Sequence, residues 1–189
     1  GGKLEKAVTR GNGEVGEDVT HNARVFSNLP VSIPFKGELV LRGEGVIPYS
    51  EFYRINEEPG EEEQYKNPRN LCSGTVRQLN SEIAAKRNAK FFAFTLVSAE
   101  GKEISDSKSE NMDWLAEMGF DVVEHVMVTA ENVAAEVENF RNKIEDNDIA
   151  SDGLVMTFDS ISYSVSLGRT SKFPKDSIAF KWADEMAET

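Results

Sequence analysis

The run Phe91-Phe92-Ala93-Phe94-Thr95-Leu96-Val97 constrains the fold of this chain more than any other segment. It is bulky, aromatic and free of helical period, so it reads as a strand buried on both faces, with Phe94 in the core. The rest of the chain must supply layers to cover it. Gly37 to Ile47 is a second β-branched run, bounded by Gly and Pro. Gly153 to Phe158 and Ile178 to Trp182 are two late strands separated by a polar connection. Arg10-Gly11-Asn12-Gly13 after Leu4–Thr9 predicts an opening hairpin, because its glycines and asparagine tolerate positive φ.

Helical signals fall between these strands. Asn22 to Phe26 follows acidic residues suited to a helix N-terminus, and Ser50 is placed to cap a helix carrying Phe52, Tyr53 and Ile55. The acidic stretch Glu57–Glu63 predicts an exposed loop. Met112, Leu115 and Met118 recur at helical spacing within Ser107–Met118; Gly119 then stops that helix before a predicted strand at Phe120–Val123. Val133, Val137 and Phe140 mark a further helix. Strands and helices mingle without βαβ regularity, which gives an α+β class.

Charge limits the partners. The 33 acidic residues exceed the 21 basic ones and leave a net charge of −12, so contact with a polyanion must be local. No apolar run approaches the roughly 20 residues that span a bilayer, and the first residues lack a signal core, so a cytoplasmic protein without membrane contact is expected. Cys72 is the single cysteine and accompanies two histidines, which leaves neither an internal disulfide nor a zinc cluster; it reads as a small buried apolar side chain.

Two places break the acidic background. Between Lys66 and Lys90, six cations stand against Glu82 alone. Arg69 in Asn67-Pro68-Arg69-Asn70 and Arg77 after Ser73-Gly74-Thr75 lie near turn chemistry, where backbone amides also face an anion. A guanidinium fork donates two hydrogen bonds to a phosphate, although these arginines would equally serve to pair the acidic excess. The second cluster surrounds Arg169 and includes Lys181 inside a strand signal, where a lysine either reaches solvent or holds a specific anion. Glu44, between Gly43 and Gly45, is placed either to accept hydrogen bonds from a ribose or to face outward beside Arg42. Asp152 before Gly153 reads as a turn residue on pattern. No Walker loop, dinucleotide fingerprint or nucleophile elbow is present.

Five ordered blocks carry a resemblance. They are Ala7-Val8-Thr9-Arg10-Gly11-Asn12-Gly13 with Gly16-Glu17-Asp18-Val19-Thr20; Leu41-Arg42-Gly43-Glu44; Asn67-Pro68-Arg69-Asn70 with Gly74-Thr75-Val76-Arg77-Gln78-Leu79; Ser151-Asp152-Gly153-Leu154-Val155; and Leu167-Gly168-Arg169-Thr170 with Ala179-Phe180-Lys181. In order and spacing they resemble the adenylation (nucleotidyltransferase) domain of bacterial NAD-dependent DNA ligase, through nearly the whole of residues 1–189. The resemblance implies the ligase and mRNA capping enzyme type of fold, with antiparallel sheets flanked by helices.

In that family a lysine attacks the α-phosphate of NAD, nicotinamide mononucleotide leaves, and the adenylyl group passes to the 5′-phosphate of a nick before the 3′-hydroxyl seals it. The resemblance implies that Arg10, Glu44, Phe94, Asp152, Thr157 and Lys181 line the NAD pocket. Glu44 would sit at the ribose, Phe94 would stack on adenine and Lys181 would partner a phosphate. Arg69 and Arg77 would contact nucleotide or DNA phosphates. NAD as substrate, magnesium, nicked double-stranded DNA and the remaining domains of the same ligase are the implied partners, in bacterial replication and repair. The sequence contains no Lys-x-Asp-Gly, the motif of the attacking lysine, so the nucleophile and its strand are expected outside this chain, which alone is expected to be inactive. Thr157 stands where many family members carry a lysine, and it keeps a hydrogen bond without the charge. The competing readings are a non-catalytic nucleotide- or nick-binding module and a relative of ATP-dependent or RNA ligases.

Overall fold

Strand β1 (Leu39–Val46) pairs antiparallel with β2 (Lys90–Ala99) to form the first of two small sheets in the computed structural model, which describes residues 1–58, 65–151 and 153–182. The register slips twice, leaving Phe94 and Val97 as extra residues on β2. Each slip is a bulge that places two successive side chains on the exposed side, Phe94 with Thr95 and Val97 with Ser98. The expectation of a strand buried on both faces is therefore corrected: Ala93, Leu96 and Ala99 are buried, whereas Phe94 is 42% exposed.

Two apolar clusters flank this ladder. On one side α5 (Lys108–Glu117) packs on β2, and Leu115 joins Ala93, Leu96 and Ala99 beneath Phe35, Phe91 and Trp114. Ser107 caps α5 by accepting from the Glu110 amide, and Gly119 at φ 104 ends it, as the sequence indicates. Phe120–Val123 is not a strand; it touches the sheet through a single bridge from Val122 to Ala93. The other cluster gathers Ile47, Phe52, Ile55, Leu71, Cys72 and Ala89 from α2 (Tyr49–Glu57), α3 (Pro68–Val76) and the ends of the two strands. The Cys72 thiol is pushed up to about 11 by burial, with the Glu44 charge adding to the effect, so the expected small apolar role holds.

Several helix boundaries differ from the pattern. Helix α1 is a single turn, Thr20–Ala23, because Asp18 accepts from the Thr20 amide and hydroxyl ahead of it rather than lying within a longer helix. Ser50 does not cap α2; Pro48 occupies that position, and Asp148 reaches back across the chain to accept from the Ser50 amide at 2.9 Å and its hydroxyl at 2.6 Å. Asn67 caps α3 and Pro68 opens it, so the segment 68–76 is helical rather than turn-like. Helix α4 (Ser81–Lys86) follows under an Asn80 cap. Most of the Glu57–Glu63 loop lies outside the described residues.

The second sheet pairs β3 (Gly153–Thr157) with β4 (Ser177–Lys181), antiparallel and in unbroken register from Gly153↔Lys181 to Thr157↔Ser177. Helix α6 (Val133–Lys143) precedes it, and α7 (Ile161–Leu167) occupies the connection that the sequence left merely polar. Among the described residues, no apolar side chain beyond Leu115 is buried. Polar contacts instead join this half to the first. Asp106 accepts from Ser162 and Ser160 at the start of α7, while Asp159 accepts from Ser109 and Ser107 at the start of α5. The two helix N-termini thus cap each other. Overall the fold is mixed, with small antiparallel sheets and helices, in line with the α+β expectation.

Candidate functional site

Glu44 owes its position to the glycines on either side of it. A Cβ at Gly43 would run into the Phe91 ring and the Phe92 carbonyl, and one at Gly45 would lie 3.3 Å from Phe26. The aromatic rings therefore press against one face of β1, and alternation leaves Arg42 and Glu44 on the other, exposed face. Glu44 is opposite Phe92, and Phe94 lies two residues further along β2 at the bulge. A carboxylate and a projecting aromatic ring thus share one ladder. The pair suits a sugar-base ligand: the carboxylate accepts from hydroxyl groups, and the ring offers a flat face to a base.

Arg10 lies at the turn of the N-terminal hairpin, and Arg77 pairs with Glu17 on the returning arm. Val8 bridges Asp18, the Thr9 amide donates to the Glu17 carbonyl at 2.9 Å, and Arg10 accepts from Gly13 at the turn, where Gly11 and Gly13 have φ of 54° and 97°. Arg77, at the C-cap of α3, donates to Glu17 at 2.7 Å. Both guanidiniums belong to exposed residues. Arg69 lies in the first turn of α3, also exposed, at the helix end where backbone amides face outward.

Lys181 ends β4 and is exposed; its register partner Gly153 presents no side chain over it. Asp152 lies outside the described residues. Thr157, at the opposite end of the same ribbon, is engaged within the chain: its hydroxyl accepts from the Lys108 ammonium at 2.7 Å and from Ser177 at 3.0 Å. Lys108 also donates to Ser164 at 3.0 Å and to Asp176 at 2.8 Å. That ammonium, with help from Ser177 and Ser164, holds the Asp176 carboxyl down at about 2. Sequence reading missed Lys108. The available signal was a lysine at the first position of α5, where the helix dipole disfavours a cation and an anionic partner is required.

The structure thus places Glu44 and Phe94 on the first sheet, Arg10 and the Glu17-paired Arg77 at the hairpin, and Thr157 and Lys181 at opposite ends of the second sheet. A groove of about 420 Å³ between Tyr49, Tyr53 and the segment 144–148 is lined by none of them. Among the described residues no three His, Cys, Asp or Glu side chains gather as ligands, so these residues offer magnesium no cage of their own. Also among the described residues, no helix is long and apolar enough to cross a membrane.

A family model described as the NAD-dependent DNA ligase adenylation domain matches residues 1–185. The chain is 59% identical over 189 residues to a DNA ligase of Lachnoclostridium phytofermentans and 56% identical to one of Ruminiclostridium cellulolyticum. A DNA ligase of Clostridium kluyveri is 38% identical over 193 aligned residues. In each case all of this chain is covered but only 29% of the relative. The chain belongs to the family of NAD-dependent DNA ligase adenylation domains.

Proposed function

We propose that this chain is most of the adenylation domain of an NAD-dependent DNA ligase and supplies the walls of its nucleotide pocket. The observation that carries this reading is the family match over residues 1–185, and the Glu44–Phe94 face gives it a physical form. The fold is of the nucleotidyltransferase kind shared with mRNA capping enzymes, completed by a strand outside residues 1–189 that carries the attacking lysine.

In the reaction, the lysine nitrogen bonds to the α-phosphorus of NAD and loses a proton as the bond to nicotinamide mononucleotide breaks. A 5′-phosphate oxygen of the nick then displaces the lysine, and the 3′-hydroxyl displaces AMP. Phe94 binds adenine by stacking, which is worth roughly 1–3 kcal/mol for a nucleic acid base. Glu44 holds the ribose through its hydroxyls. Lys181 faces the phosphate and stabilises charge that grows in the transition state. Arg10 and Asp152 complete the NAD pocket. Arg69 and Arg77 meet nucleotide or DNA phosphates, giving a local cationic surface on a chain whose net charge is −12. Magnesium, when bound, would stabilise the charge on the transferring phosphate. Nicked DNA is encircled largely by further domains, and the work is that of a soluble bacterial enzyme in replication and repair.

The test is adenylation by NAD. Full-length protein is expected to gain one adenylyl group, and residues 1–189 alone none. A full-length protein that stays unlabelled overturns the enzyme reading in favour of a binding module, and preferential labelling by ATP assigns it to another ligase class.

A further inference from the structure

We propose that Lys108 is a positioning residue of the adenylate pocket: held by Thr157, Ser164 and Asp176, its ammonium ties the ribbon that carries Lys181 to α5, the helix packed on the sheet that carries Glu44 and Phe94. The proposal rests on the NAD-dependent ligase reading and adds to it a residue that never touches the substrate.

Four observations converge. Lys108 is the first residue of α5, a place unfavourable to a cation, and its ammonium is nevertheless satisfied by three oxygens from β3, α7 and the approach to β4, at 2.7, 3.0 and 2.8 Å. The pair is enclosed: the Lys108 and Asp176 side chains are 28% and 15% exposed, whereas the ion pairs of Arg54, Arg77, His125, Arg141 and Lys143 each have a partner exposed by 41% or more. The ribbon has no buried apolar side chain among the described residues, and these polar joints tie it to α5, which packs on the first sheet. Finally, Thr157 and Ser177 are register partners, and from there β4 runs unbroken to Lys181. A clamp at one end of a paired ribbon sets the direction of the other.

The consequence is specific. Loosening the clamp shifts the ribbon that carries Lys181, which weakens an interaction made chiefly in the transition state and so lowers kcat more than it changes KM. It also follows that the charge matters at its place rather than on its residue. The Thr157 hydroxyl lies 3.5 Å from the Asp176 carboxylate, so a lysine at position 157 starts beside the same anion.

The experiment is single-turnover adenylation of the full-length protein by NAD, with thermal unfolding of every variant. Lys108→Met is expected to lower the rate at saturating NAD roughly tenfold while KM for NAD moves less than about threefold. Asp176→Asn is expected to do the same, and the pair together to do no worse than either alone, because both break one joint. Lys108→Met with Thr157→Lys is expected to regain most of the lost rate, which a merely structural loss would not allow. Lys108→Gln, which keeps donors for Thr157 and Ser164, replaces Lys108→Met if that variant shows no thermal transition, with the same loss expected. A wild-type rate in the Lys108 variant, losses that multiply, or no recovery with Thr157→Lys overturns the proposal alone. A wild-type protein that NAD does not label overturns the ligase reading and this proposal with it.

Discussion

At the scale of single residues, exposure separates binding from packing. Phe94 projects from a bulge and is 42% exposed, so Phe94→Ala is expected to weaken NAD binding by about 1–3 kcal/mol, read by titration calorimetry, while the thermal midpoint stays near wild type. A core phenylalanine would reverse that pattern, losing about 3–5 kcal/mol of stability. Gly43→Ala is the converse case: the added methyl collides with Phe91 and the Phe92 carbonyl, and a loss of about 1–3 kcal/mol in denaturant unfolding is expected. Glu44 had two readings in the sequence, a ribose contact or an outward-facing strand residue beside Arg42; the packing of Phe91 and Phe26 against Gly43 and Gly45 accounts for its exposure. Phe94 was misread as core because a bulge is a matter of register with β1, which a strand's own composition does not reveal. Lys108 was illegible for a simpler reason: Asp176, which balances it, lies 68 residues away.

At the scale of elements, local signals located helices well where the cap was local. Ser107 and Gly119 bracket α5 as their chemistry dictates, whereas Asn67 and Pro68, read as turn chemistry, open α3. Where the cap is remote, local reading assigned the wrong partner. Helix α2 is capped by Asp148, which binds both the amide and the hydroxyl of Ser50. Asp148→Ala is therefore expected to lower stability by about 0.5–2 kcal/mol in denaturant unfolding, whereas Ser50→Ala, which leaves the amide bonded, is expected to lose less. Helix α7 escaped notice because its serine-rich sequence has little apolar periodicity; Asp106 and the Ser160 cap hold its N-terminus instead. The bridge at Val122 likewise needs Ala93 from another element to exist.

At the scale of the whole molecule, apolar burial organises the first sheet and polar joints attach the second. That division has a pH consequence. The Asp176 carboxyl is held at about 2, below its ordinary 3.8, chiefly by the Lys108 hydrogen bond. A depressed folded value contributes stability that is present above the ordinary value and disappears as pH falls through the folded one. Unfolding of wild type is thus expected to become easier between pH about 4 and about 2, by more than in Asp176→Asn, measured as the difference between the two denaturant profiles. Asp159, also lowered because hydrogen bonds from Ser107 and Ser109 outweigh its burial, faces the same ammonium and titrates in both proteins. The mixed α and β class of the fold was readable from the order of strand and helix signals. The joint between the two halves was not, since it depends on side chains brought together only by folding.

The central claim is that residues of the first sheet and of the second close on one nucleotide. The most direct measurement is a crystal structure of the full-length protein with NAD. The account expects the Phe94 ring against adenine, the Glu44 carboxylate at a ribose hydroxyl and the Lys181 ammonium at a phosphate of the same molecule. NAD bound elsewhere, or Glu44 and Lys181 opening onto separate surfaces, would contradict it.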